Sequence, residues 1–131
     1  MKNILLLVLI SFIFSSLVYA DWPAEEVKIN YLLMEILRVE GRFIRNGEEY
    51  SPDKAVDHLK MKLENALNSW FTPDKETWTA EMFIEKIASK SSFSGKAYQL
   101  KLKSGNIVYT AIWLDQKLKI YRNELQKNHK K

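Results

Sequence analysis

Residues 51–70 constrain the fold more than any other stretch. Ser51-Pro52 reads as a helix start, with serine at the N-cap and proline at the first helical position. Behind it, Ala55, Val56, Leu59, Leu63, Ala66, Leu67 and Trp70 recur at helical spacing and fall on one arc of the helical wheel. A helix ending near Ser69 with so one-sided an apolar face must lie against a core, so the remaining elements are read as its cover.

Upstream, Pro23 to Glu40 reads as a helix. Glu25 and Glu26 sit near the positive end of its dipole, and Gly41 is its expected stop. Ile29, Leu32, Leu33, Ile36 and Leu37 form one stripe; Val27, Tyr31 and Met34 form a second, for burial or for a partner. Arg42–Arg45 and Glu48–Tyr50 flank Asn46-Gly47, the favoured pair for a two-residue type I′ turn, and so predict a short β-hairpin.

Downstream, residues 70–78 contain Pro73 and Asp74 and read as a loop, from which Phe71 and Trp78 are expected to fold back onto the domain. Thr79 caps a third helix from Ala80 to about Ser89, with Phe83, Ile84, Ile87 and Ala88 inward. Ser91-Ser92-Phe93-Ser94-Gly95 is a turn. Tyr98, Leu100 and Leu102 then alternate with polar residues as a half-buried strand. Ser104-Gly105-Asn106 turns it back into Ile107–Tyr109. A last helix from about Ala111 to Gln126 carries Ala111, Leu114, Leu118, Tyr121 and Leu125 inward, with Trp113 and Ile120 elsewhere. The result is a helix-rich α+β single domain, with about four helices and two short β-hairpins.

The first twenty residues are of another kind. Lys2 precedes the apolar run Ile4–Phe14, and Val18-Tyr19-Ala20 suits a signal peptidase, so residues 1–20 are expected to be a cleaved signal peptide. Ser11, Ser15 and Ser16 argue against a permanent spanning helix. Residues 21–131 then form the globular domain, with no stable membrane insertion. Its end, Lys127 to Lys131, reads as a frayed basic tail.

The chain has no cysteine, which excludes a disulfide scaffold, a thiolate metal site and a cysteine nucleophile. Twenty Lys and Arg face sixteen Asp and Glu, a mild excess for which export leaves no nucleic-acid partner. Two histidines without H-x-x-x-H spacing predict no metal site, and no phosphate-cradling glycine loop occurs, so no cofactor is expected.

Three segments resemble one family. They are Phe43-Ile44-Arg45-Asn46-Gly47 with Tyr50; Ala55 with His58-Leu59 and Lys62-Leu63; and Thr79-Ala80-Glu81, Phe83-Ile84, Ala88-Ser89, Ser91-Ser92, Ser94-Gly95-Lys96 and Tyr98. Together they resemble the YfeK-type family of small exported bacterial proteins, a domain of unknown function, with a departure at Ala97 where proline is expected. The resemblance implies the periplasm of a Gram-negative bacterium. It carries no known substrate or catalytic residue.

The candidate ligand- or partner-binding residues are Arg45, Asn46, His58, Lys62, Ser91, Ser92, Ser94, Lys96 and Tyr98. His58 and Lys62 share one helix face, either as a binding strip or with His58 bonded to the domain edge. Ser91 to Lys96 would form an anion-binding nest or plain turn chemistry. Arg42, Arg45, Glu48 and Glu49 read as cross-strand charge pairs or as a recognition edge. Ser91 or Ser92 with His58 and Glu81 or Asp57 would be needed for a hydrolase, and no G-x-S-x-G elbow supports one. The expectation is a non-enzymatic protein that binds another envelope protein, with apolar Trp113 and Ile120 as the motive. The alternative is a small-ligand or anion-binding module.

Overall fold

The computed structural model describes residues 21–70 and 74–131. Residues 1–20, expected to be a signal peptide, and Phe71 and Pro73 lie outside the described residues. Four helical segments and four strands follow in the order α1 (Trp22–Leu37), β1 (Gly41–Arg45), β2 (Glu48–Tyr50), α2 (Pro52–Leu67), α3 (Ala80–Met82), β3 (Gln99–Leu102), β4 (Ile107–Tyr109) and α4 (Thr110–His129). A short 3-10 turn, Lys75–Thr77, precedes α3, and a π-helical segment, Phe83–Ala88, continues it. The chain is an α+β single domain.

The two expected hairpins are present, but they are not separate. β1 and β3 pair antiparallel, Phe43 opposite Leu100, and join both into one sheet of order β2-β1-β3-β4. That pairing explains Gly41, which does not stop α1. The helix ends at Leu37, and Gly41 opens β1, where an added Cβ would lie 2.2 Å from the Lys101 carbonyl oxygen. The glycine is there for close strand approach. Asn46 and Gly47 have φ of 51° and 79°, as the type I′ turn requires.

Strand alternation sorts the sheet into two faces. Phe43, Tyr98 and Leu100 point at the helices and are buried. Arg42, Glu49 and Lys101 stand on the other face, where Glu49 Oε1 takes Lys101 Nζ at 2.9 Å and Arg42 approaches Glu49 Oε2 at 3.9 Å. The core lies between the inward face and the helices. Ile29, Leu32, Leu33 and Ile36 of α1, Leu59 of α2, Leu114 and Leu118 of α4, and Trp78, Phe83, Ile84 and Ile87 all enter it. Burial of such side chains is worth about 1.5–3 kcal/mol each.

The α2 stripe holds at its first turns and weakens toward its end. Ala55, Val56 and Leu59 are buried, Leu63, Ala66 and Leu67 only partly, and Trp70 is 98% exposed beyond the helix end. On α1, Leu37 is exposed too, as are Val27 and Met34 of the second stripe, whereas Tyr31 packs on Tyr121 at 4.7 Å. The third helix winds mostly as π-helix; Thr79 caps it as expected, its hydroxyl accepting from Met82 N–H at 3.2 Å. Glu25 of α1 supplies a second, tertiary cap by accepting Ala80 N–H at 2.8 Å. α4 runs on to His129, past the expected end at Gln126, and carries Lys127 and His129 in its last turn.

Candidate functional site

Arg45, His58, Lys62, Ser91 and Tyr98 meet at one seam between sheet and helices. Arg45 lies two residues after Phe43 on β1 and so shares its inward face. Continuing the β1–β3 register places it opposite Tyr98. His58 and Lys62 flank the buried stripe of α2, one turn apart, and both reach that corner.

Arg45 Nη1 lies 3.1 Å from the His58 ring nitrogens, and its guanidinium sits over the Tyr50 ring at 5.2 Å. The expected surface pairing of Arg45 with glutamate is therefore not what forms. Tyr50 takes Glu48 instead, its hydroxyl donating to Oε2 at 2.7 Å. His58 Nε2 lies 3.2 Å from the Tyr98 hydroxyl. Lys62 Nζ donates to the carbonyls of Ile87 at 2.8 Å and Lys90 at 2.7 Å, and to Tyr98 Oη at 3.3 Å. An ammonium has three protons, so all three are engaged, and Lys62 acts as a clamp and a fixed charge.

Arg45 Nη1 is equally near Nδ1 and Nε2, so it lies over the ring rather than in line with either lone pair. The contact holds a fixed positive charge against the imidazole. Either tautomer serves the contact with Tyr98: Nε2–H donates to Oη, or the Tyr98 O–H donates to Nε2.

The electrostatics agree. Burial, then the charges of Arg45 and Lys62, lower the His58 pKa. Burial, then Arg45 and Lys90, push Lys62 down to about 8. Burial raises Tyr98. Among the ion pairs of the described residues, none includes Arg45 or Lys62. A cavity of about 160 Å³ opens beside them, bounded by Arg45, His58, Lys62 and Tyr98, and by Ser91, Ser92 and Phe93.

The 91–96 turn is tied to the hairpin tip. Asn46 Nδ2 donates to Ser91 Oγ at 3.3 Å, and Ser94 Oγ donates to Asn46 Oδ1. Ser91 Oγ also accepts Ser94 N–H, and Ser94 Oγ accepts Lys96 N–H. Much of the nest chemistry thus serves the turn itself. Ser91 is buried, whereas Ser92, Ser94 and Lys96 are exposed and Lys96 stands away from the cavity wall. One lining residue was not among the candidates. Phe93 is 97% exposed, an aromatic in the middle of a serine–glycine turn, which was a legible signal. Tyr50, quoted above only within the hairpin motif, supports Arg45 without lining this cavity.

A further motif, Ser51-Pro52-Asp53-Lys54, has the S-x-x-K spacing of acylating serines. Its hydroxyl serves the Asp53 carboxylate, and this bond is the main cause of the lowered Asp53 pKa. The apolar surplus on α4 falls on other residues than expected. Trp113 packs partly buried against the core beneath the Lys117 ammonium, while Ile120, Ile112 and Leu125 are exposed, Leu125 against its inward reading because the core ends at Leu118.

Fold and site together define a small helix-rich α+β domain with a cationic cavity at its helix–sheet seam. The chain belongs to a family of unknown function (DUF5329), which matches residues 23–122. It is similar to the uncharacterized protein YfeK of Salmonella typhimurium, 40% identical over 75 residues. Those residues are 56% of this chain and 57% of that protein, so the chain spans little more than half the relative's length. No solved structure matches. The YfeK-type resemblance is thereby borne out.

Proposed function

We propose that this is an exported, non-enzymatic binding protein of the Gram-negative periplasm that recognises an anionic group on an envelope component. The observation that carries the reading is the pair Arg45 and Lys62. Both are half-buried cations at one cavity, and neither is matched by a carboxylate of the described residues. Cations withdrawn from water are ordinarily paired, so an anion from outside completes the set. The run Ile4–Phe14 and the Val18-Tyr19-Ala20 site support export. Among the described residues neither serine–histidine candidate forms a nucleophile–base pair, which supports a binding role: Ser91 Oγ engages Asn46 and Ser94, while the His58 ring engages Arg45 and Tyr98.

The test is an NMR titration of the purified protein with acetate and with inorganic phosphate, following the Arg45 Nε–H and His58 ring signals. A saturable shift of both, absent in Arg45→Gln, is the expected result. No response of either signal to either anion overturns the proposal. Crosslinking in the envelope fraction with native and Arg45→Gln proteins then identifies what presents the anion.

A further inference from the structure

The cavity beside Lys62 has a neighbour. Phe43, Tyr50, Ala55 and the stem of Lys54 line a second hollow of about 170 Å³. Arg45 and His58 line both hollows and so form the partition between them. The two differ in chemistry. The first holds the ammonium of Lys62 and the hydroxyls of Ser91 and Tyr98. The second is walled by two aromatic rings and a methyl group, with Phe43 and Ala55 each 1% exposed and the exposed Lys54 side chain beside them.

The charged side of this pair has one gripping group. All three Lys62 protons are engaged within the protein, so Lys62 contributes field rather than a bond. Arg45 remains: its guanidinium lies over the Tyr50 ring and Nη1 is against His58, while Nε and Nη2 have no hydrogen-bond partner among the described residues and form a free two-donor edge. A single planar fork matches two coplanar oxygens, which is the geometry of a carboxylate. A tetrahedral oxyanion would turn a further charged oxygen toward the Phe43 ring and the Ala55 methyl, which carry no donor; the Tyr50 hydroxyl already donates to Glu48, and the Lys54 ammonium belongs to an exposed side chain. A carboxylate turns carbon that way. The second hollow has the space of roughly five waters at ~30 Å³ each, enough for the four carbons of a leucine side chain.

Resting on the reading of the Arg45 cavity as an anion site, we propose that the ligand is a carboxylate bearing a small apolar substituent on the adjacent carbon. The carboxylate lies on Arg45, and the substituent enters the Phe43–Tyr50–Ala55 hollow. This is the chemistry of a peptide's C-terminal residue and of a free N-acylated amino acid.

The experiment titrates the protein, by NMR, with acetate, N-acetyl-leucine, N-acetyl-leucinamide and inorganic phosphate. N-acetyl-leucine is expected to bind at least about tenfold tighter than acetate, from the apolar burial it adds. The amide is expected to lose that binding, and phosphate to bind no tighter than acetate. Contacts from the leucine methyls to the Tyr50 and Phe43 rings are expected in nuclear Overhauser spectra. A peptide ending in leucine that binds tighter than N-acetyl-leucine assigns the source to a chain terminus; equal binding assigns it to the free acid; both support the class. N-acetyl-leucine no better than acetate, phosphate tighter than either, or methyl contacts confined to Phe93 overturns the inference while leaving the anion site standing. Loss of every anion response overturns the anion site itself.

Discussion

Arg45 Nη1 lies 3.1 Å from both ring nitrogens of His58, so a permanent cation is held over the imidazole. The contact therefore favours neutral His58. Burial first, then the Arg45 and Lys62 charges, hold its pKa down. In a pH titration followed by NMR, the His58 ring protons are expected to shift with a midpoint below about 6.5, the ordinary imidazole value. Arg45→Met is expected to raise that midpoint. A native midpoint at or above the ordinary value contradicts the contact.

The same corner sets a pH dependence of stability. An unfolded lysine holds its proton to about pH 10.5, whereas folded Lys62 releases it from about 8. Between these values the unfolded chain binds more protons, so the stability Lys62 contributes rises with pH. It is lost as pH falls through 8. His58, also lowered, contributes above about 6.5 and loses its contribution below that. Tyr98 is raised and acts oppositely, its contribution fading as pH rises beyond about 10. Urea unfolding from pH 7 to 10 should show the stability difference between native protein and Lys62→Met growing with pH. A difference that stays flat removes the shift.

Lys62→Met also tests the clamp directly. The stem survives, but the carbonyls of Ile87 and Lys90 and the hydroxyl of Tyr98 lose their donor. A loss of about 1–3 kcal/mol is expected at neutral pH, less the relief of a desolvated charge. The midpoint of urea unfolding should fall with an unchanged m-value.

Asn46 has two tasks, and two substitutions separate them. Its φ of 51° is a left-handed turn position, and its side chain ties the hairpin tip to Ser91 and Ser94. Asn46→Gly keeps the turn and loses the ties, at an expected cost of about 1 kcal/mol. Asn46→Ala loses both and should cost about 1–2 kcal/mol more. Equal effects in thermal unfolding would mean that one of the two tasks is idle.

Gly41→Ala should destabilise by steric means alone. Its Cβ would stand 2.2 Å from the Lys101 carbonyl, which is backbone and cannot swing aside. A cost of about 1–3 kcal/mol is expected, with faster amide exchange across the β1–β3 pairs. Exchange rates unchanged there would show that the strands absorb the methyl group.

The chain's local patterns were legible. The Ser51-Pro52 start of α2, the Asn46-Gly47 turn, the Thr79 cap and the alternation from Tyr98 to Leu102 are each specified by neighbours within a few residues. So was the shared face of His58 and Lys62, since helical spacing alone places it. Less legible were the ends: Gly41 looked like a helix stop because its true reason, Lys101, lies sixty residues away. Alternation with Phe43 already gives Arg45 its inward face, but the His58 and Tyr98 it meets there come from distant segments that no local pattern brings together.

Sequence by itself determined which segments are helix, strand and turn, and which residues carry charge near a buried stripe, because those depend on short-range periodicity and backbone preference. Only the tertiary structure decided that β1 joins β3, that Lys62 spends its protons on Ile87, Lys90 and Tyr98, and that Arg45 divides a charged hollow from an apolar one. Those outcomes depend on contacts between distant segments, which arise from burying one shared core and have no local signature in the chain.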